Sequence, residues 1–269
     1  MSLINLYDIN GNQLELNGYS GLKLTIPSPS YDVEVEKIDG RGGEIVIDKT
    51  LQPRHLTADF YMKAKDYTDS LLLRDVIHRQ ISGGEFYISE SKLPHKRWRV
   101  HFSDAYEMDR LNHTMQTFSV PLVAMSGLAE SAGTTLDELT FTAEKWQVGQ
   151  GLILEEPKYT HQTATFRVFN AGDVKIDPRQ FPLKIIYRGA SSNLQIKNNT
   201  TGDVWMYSGS SGASDQIVLD GVHSLKNSAS IFKDTNKKLI SIAPGWNDFT
   251  LTGTSGSFLI SFDHRFYYY

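Results

Sequence analysis

The chain has 269 residues, 40% of them apolar and 22% charged, with a formal net charge of −4 and no cysteine. The missing cysteine excludes disulfides, thiolate zinc sites and thiol nucleophiles, and no apolar run reaches the roughly 20 residues of a membrane-spanning helix. The opening Met1-Ser2-Leu3-Ile4-Asn5 lacks the basic-then-apolar pattern of a signal peptide. Charge is uneven: residues 1–140 hold 14 Lys and Arg against 20 Asp and Glu, and residues 141–269 hold 13 against 11. Neither half carries the clustered cations that phosphate neutralisation requires, so specific nucleic-acid binding is not expected. The length suits two domains of roughly 100–150 residues.

Taken in order, residues 3–9, Asn10-Gly11 and residues 12–16 read as a hairpin, since Asn-Gly supplies a turn with φ > 0. Leu22, Leu24 and Ile26 alternate up to Pro27-Ser28-Pro29, which interrupts a ladder. Tyr31, Val33 and Val35 alternate with Asp32, Glu34 and Glu36, the pattern of a strand with one buried and one wet face. Asp39 to Gly43 then reverses the chain, and Ile45 and Ile47 share the apolar face of the returning strand. Leu56, Ala58, Phe60 and Met62 line one face of a third strand. Asp66 reads as an N-cap with Asp69 at the capping-box position, and Leu72, Leu73, Val76, Ile77 and Ile81 follow at helical spacing until Gly83-Gly84. The helix is expected over about 66–82. Short strands follow at 85–88, at Trp98, Val100 and Phe102, and at Phe118, Val120, Leu122 and Ala124, where Pro121 suggests a sheet edge.

Residues 126–140 are small, polar and aperiodic, as in a linker. From His161 onward, about ten short apolar runs are punctuated by turns at roughly 8–12-residue spacing, with no helix signal. The fold class expected is mainly β: an N-terminal α+β domain, 1–140, with a β-sandwich, one helix and a hairpin, followed by a β-sandwich or jelly roll, 141–269.

Catalytic signatures are missing from the sequence. There is no phosphate-binding loop, Gly149-x-Gly151 has Leu154 where a third glycine belongs, and the eight histidines include no i,i+4 pair. No catalytic, cofactor-binding or metal-binding residue is nominated, and no enzyme activity is expected. Trp205, Trp246 and the terminal Tyr267-Tyr268-Tyr269 are either core anchors or the aromatic faces on which a sugar or a partner chain stacks. Three consecutive tyrosines cannot all point inward from a strand, so at least one faces out.

The Gly40-Arg41-Gly42-Gly43 turn after an alternating strand, the Arg54–Met62 strand and the single helix resemble the N-terminal half of siphophage distal tail proteins. The second half agrees in its order of phrases: Asn170-Ala171-Gly172, then Pro178, Asn198-Asn199-Thr200-Thr201-Gly202, Asp220-Gly221 and Pro244-Gly245-Trp246-Asn247. These are ring-forming hubs at the tip of long non-contractile tails. The resemblance implies a galectin-like C-terminal sandwich and a hexameric ring of N-terminal domains. It also implies a tail-tube protein on one face and a tail-tip protein on the other, with receptor-binding proteins as further partners. The place of action would be the virion tail tip, after synthesis in the bacterial host cytoplasm. Gly40, Arg41, Gly42 and Gly43 would then belong to the inter-subunit surface or else close an intramolecular hairpin, and Pro27 and Pro29 would mark a contact edge. The alternative is a carbohydrate-binding module that takes host cell-wall glycan through the C-terminal sandwich at Trp205 or Trp246.

Overall fold

The computed structural model describes residues 2–40, 42–138, 146 and 157–269. The chain divides into two compact units, Met1–Glu130 with Tyr269, and Ser131–Tyr268.

The first unit contains β1 (Ile4–Tyr7), β2 (Tyr19–Thr25), β3 (Tyr31–Glu36), β4 (Ile45–Leu51), β5 (Arg54–Lys63), α1 (Tyr67–Ile81), β6 (Phe86–Glu90), β7 (Lys96–Phe102), β8 (Met108–Arg110) and β9 (Met115–Ala124). Six of the strands run in the order β1-β6-β7-β9-β5-β2, with β8 on β9, while β3 and β4 form a separate two-stranded sheet. The alternation read from β5 and β9 sets their faces. Leu56, Ala58, Phe60 and Met62 are buried and so are Phe118, Val120, Leu122 and Ala124. Phe60 stacks on its cross-strand neighbour Phe118 at 5.3 Å.

Three local expectations are corrected here. Pro121 lies on an interior strand, but at a gap in pairing: β8 matches β9 at residues 116–118 and β7 at 122–123, so the missing N–H leaves no ladder partner stranded. A register shift between Gly21 and Lys23 turns Leu22 outward. Leu72 and Val76 of α1 are exposed, and the helix packs through Ser70, Ile77 and Ile81 instead. Its cap forms as read, Asp69 N–H donating to Asp66 Oδ1 at 2.9 Å, while Asp69 Oδ2 accepts from Lys65 N–H at 2.8 Å.

After β10 (Ala129–Ser131), the second unit contains β11 (Thr160–His161), β12 (Thr165–Asn170), β13 (Leu183–Asn198), β14 (Val204–Met206), β15 (Ser210–Ser211), β16 (Gln216–Asp220), β17 (His223–Lys226), β18 (Ala229–Ser230), β19 (Gly245–His264) and β20 (Tyr267–Tyr268). Its sheet runs β11-β19-β13-β16-β17-β18, with β12 on β19 and β14 and β15 on β13. The runs read separately at 183–187 and 194–196 belong to one strand, β13, and those at 249–251 and 258–262 to β19. The two are antiparallel partners along most of their length. Register shifts at Gly189/Ala190 and Ser191/Gln195, with φ of +146° at Gly189 and +51° at Asn193, let the long pair bend without ending. The core gathers Val168, Ile185, Tyr187, Ile196, Trp205, Ile217, Phe249, Ile260 and Phe262.

Within the stretch read as a linker, Ser131 and Thr135 are tied to the backbone at the C-terminal end of the second unit. Thr135 Oγ1 donates to Phe262 O at 2.7 Å, and Phe266 N–H donates to Ser131 Oγ at 3.0 Å, so small polar residues serve here as backbone partners.

Candidate functional site

Two surfaces stand out, one in each unit. The first is the β3–β4 hairpin. Its strands pair Tyr31 with Leu51, Val33 with Lys49 and Val35 with Val46, with a bulge at Ile47. Residues directly opposite share a face, so Tyr31, Val33, Val35, Val46 and Leu51 form one largely apolar row with Lys49, whose Nζ sits 3.9 Å over the Tyr31 ring. The sequence reading expected Tyr31, Val33 and Val35 to be buried, with Ile45 and Ile47 on the apolar face of the returning strand; instead Val33 is 43% exposed, the bulge puts Ile45 opposite Glu36 on the other face, and Val46, 58% exposed, shares the face of Val33. The opposite face is acidic, with Glu34 directly across from Asp48, a like-charge pair that destabilises an isolated hairpin. Leu51 is half-buried beside Gly127, whereas Val33, Val35 and Val46 are left exposed by the other described residues.

The nominated turn residues sit at this hairpin's tip. Gly40 and Gly43 have φ of +81° and +88°, and a Cβ at either would meet nothing within 4 Å, so backbone conformation and not packing requires glycine. Gly42 is exposed, and Arg41 lies outside the described residues. Pro27 is exposed and Pro29 half-buried in the segment that leads into β3. At the start of β5, Arg54 is 4% exposed, its guanidinium 4.9 Å from the Trp98 ring. Its Nε and Nη2 have no hydrogen-bond partner among the described residues, and burial lowers its pKa.

The second surface is an open cleft of about 740 Å3 lined by His161, Phe166, Arg167, Asn199, Trp246, Asp248 and their neighbours. The β12–β19 register puts Arg167 opposite Asp248 and Thr165 opposite Thr250. Arg167 Nε lies 3.3 Å from Asp248 Oδ1, and its guanidinium sits 4.4 Å over the Trp246 ring. Asn199 Nδ2 donates to Thr250 Oγ1 at 2.8 Å. His161 stacks on Phe166 at 4.2 Å, and its Nε2 has no partner among the described residues. Burial lowers the His161 pKa, so the imidazole is neutral at neutral pH.

The nominated aromatics separate. Trp246 is half-buried and lines this cleft. Trp205 is corrected as a contact residue: it is fully buried, and its Nε1 donates to Ser224 Oγ at 3.2 Å. Tyr267 and Tyr268 are also buried, while Tyr269 is 46% exposed and is the outward-facing tyrosine of the three. His161, Phe166, Arg167 and Asn199 were missed as site residues, because no spacing in the sequence connects them.

Three turn phrases have a shared structural role. Asn170, Asn198 and Asn247 are buried. Asn198 Nδ2 donates to Ser241 O at 2.8 Å, Asn247 exchanges two bonds with the Ala243 backbone, and Asn170 Nδ2 reaches Ile242 O at 3.5 Å. Three asparagines from separate turns thus hold one segment, Ser241 to Ala243. Asp203 joins them: burial pushes its carboxyl up, but hydrogen bonds from the Ser241 hydroxyl and backbone and from Thr201 bring it below the usual range.

No group of His, Asp and Glu side chains that could hold a metal ion occurs among the described residues. No helix among them is long and apolar enough to cross a membrane.

Residues 9–124 match the family model of the phage tail protein RIFT-related domain. The solved structure of the SPP1 Dit (gp 19.1) protein, described as a paradigm of the hub adsorption apparatus in phages infecting Gram-positive bacteria, is similar over 98% of this chain and 100% of that one, at a TM-score of 0.71 and 13% identity. A chain of the phage p2 baseplate in its activated conformation with Sr is similar over 97% of each chain, at a TM-score of 0.48 and 8% identity. The expected mainly β fold of a distal tail protein is therefore found. No curated protein sequence matches the chain.

Proposed function

We propose that this chain is the structural hub of a phage or prophage tail tip. Copies of its N-terminal portion, read from the sequence as 1–140, close into a ring of six. The tail-tube protein stacks on one face of the ring and the tail-tip protein on the other. The C-terminal portion, 141–269, faces outward, where receptor-binding proteins attach. The place of action is the virion tail tip, and the chain is made in the host cytoplasm. The role is structural and non-enzymatic.

The observation that carries this reading is the β3–β4 hairpin. An apolar row left in water on a two-stranded sheet is unstable by itself, since such a hairpin needs further strands or a packed face. A repeated head-to-tail contact, in which each hairpin lies on the next copy, covers every hairpin and closes when the rotation does. The phage tail protein domain over residues 9–124 contains this hairpin, which supports the assignment.

The test is native mass spectrometry and negative-stain microscopy of the full chain, alone and mixed with the tail-tube protein encoded beside it. Rings are expected, and Val33→Asp with Val46→Asp should return monomers. A wild-type chain that remains monomeric at high concentration and with tube protein overturns the proposal.

A further inference from the structure

We infer that the cleft around Trp246 in the second unit is a binding site for an uncharged glycan segment. The inference is independent of the hub reading, because the cleft lies wholly within the second unit.

Its size is that of an ordinary small-ligand site. The chemistry of its wall selects among ligands. The polar groups are mostly neutral and exposed: Thr163, Thr165 and Asn199 present hydroxyl and amide groups. Arg167 is matched by Asp248, which leaves Lys158 as the cation of the lining without a matching acid there. A phosphate-rich ligand would want several free cations, and a hydrocarbon ligand would leave these polar groups unpaired. A sugar satisfies both halves of the wall. Its hydroxyls donate to Asp248 and the Asn199 carbonyl and accept from Arg167, while its C–H face rests on Trp246 and on the Phe166–His161 step.

The site also carries its own optical reporter. Of the four tryptophans, Trp98, Trp146 and Trp205 are buried, so Trp246 is the one whose emission a ligand in the cleft can change.

The experiment titrates the full chain with neutral glucose-, galactose- and N-acetylglucosamine-containing oligosaccharides, following tryptophan emission and isothermal heat, with oligomeric glycerol phosphate as the anionic comparison. At least one neutral oligosaccharide is expected to bind and shift the emission. Asn199→Ala and Asp248→Ala, both on exposed side chains, should each weaken binding about tenfold with an unchanged melting temperature. If either variant fails to fold, Thr163→Ala, also exposed, replaces it. The inference is overturned by no binding of any neutral oligosaccharide up to about 10 mM, by binding that survives both variants, or by glycerol phosphate binding in preference to the sugars.

Discussion

Asn198 Nδ2 donates to Asn247 Oδ1 at 3.1 Å, and both side chains are fully buried. Their turns are almost fifty residues apart in the chain, yet each amide is saturated. Asn198 Nδ2 also donates to Ser241 O and its Oδ1 accepts from Thr200 N–H, while Asn247 bonds the Ala243 and Gly245 backbones. A carboxylate at position 198 would face the Ser241 carbonyl and the Asn247 carbonyl oxygen at once. Asn198→Asp is therefore expected to destabilise the chain by about 3 kcal/mol or more at pH 7. Part of that loss should return at low pH, where a protonated acid donates again. Urea unfolding of wild type and variant across pH measures the difference.

His264 is buried between Tyr159 and Phe266, and burial lowers its pKa to about 4. The sign follows from proton binding: below the ordinary value near 6.5 the unfolded chain takes up a proton that the folded chain refuses. Stability is full above about 6.5, falls as pH drops toward 4, and is lower by about 3 kcal/mol below that. His161, lowered in the same direction, adds to the slope. The slope of the unfolding midpoint between pH 6.5 and 4 should flatten in His264→Leu.

Gly253 sits at the bend of β19 with φ of +79°, and a Cβ there would approach the carbonyl oxygens of Ser192 and Asn193 to 2.5 Å. Strain and collision act together, so Gly253→Ala should cost about 2–4 kcal/mol, whereas Gly256→Ala, with φ of +70° but open space, should cost about 1 kcal/mol. Paired thermal melts separate the two effects.

Val33 and Phe60 read alike as inward members of alternating strands, but only Phe60 is buried; Val46, on the face of Val33, is exposed as well. Phe60→Ala should cost about 3–5 kcal/mol. Val46→Ser should change the stability of the unassembled chain by less than about 0.5 kcal/mol, and under the ring proposal its effect falls on ring formation. Chemical denaturation of the monomeric form checks both.

These cases mark how far the sequence could be read. Alternation in β5 and β9 and the Asp66 cap are short-range signals, and each appears as expected; the chain also turns at Asn10-Gly11, with Gly11 at φ +89° and donating to Asp8 O, but the expected hairpin is reduced to an isolated bridge between Tyr7 and Gln13, and β1 pairs with β6. Alternation in β3 specifies two faces but not what covers them, so the apolar row was placed in a core that this chain does not supply. Trp205 and Trp246 were indistinguishable because exposure depends on partners distant in sequence. The cleft escaped notice for the same reason: β11, β12, the turn at Asn199 and β19 contribute to it, and only the register of the sheet brings them together. The runs at 183–187 and 194–196 were read as separate strands, whereas bulges between them keep one strand continuous.

The hairpin also bears on the interval between synthesis and assembly. A solitary chain displays an aliphatic ribbon with two open rims, the shape that invites indiscriminate stacking into aggregates. On its reverse side stand Asp32, Glu34, Glu36 and Asp48, like charges that oppose such stacking. If the proposed ring forms through this hairpin, the repulsion of Glu34 and Asp48 would act as a safeguard until the correct neighbour arrives.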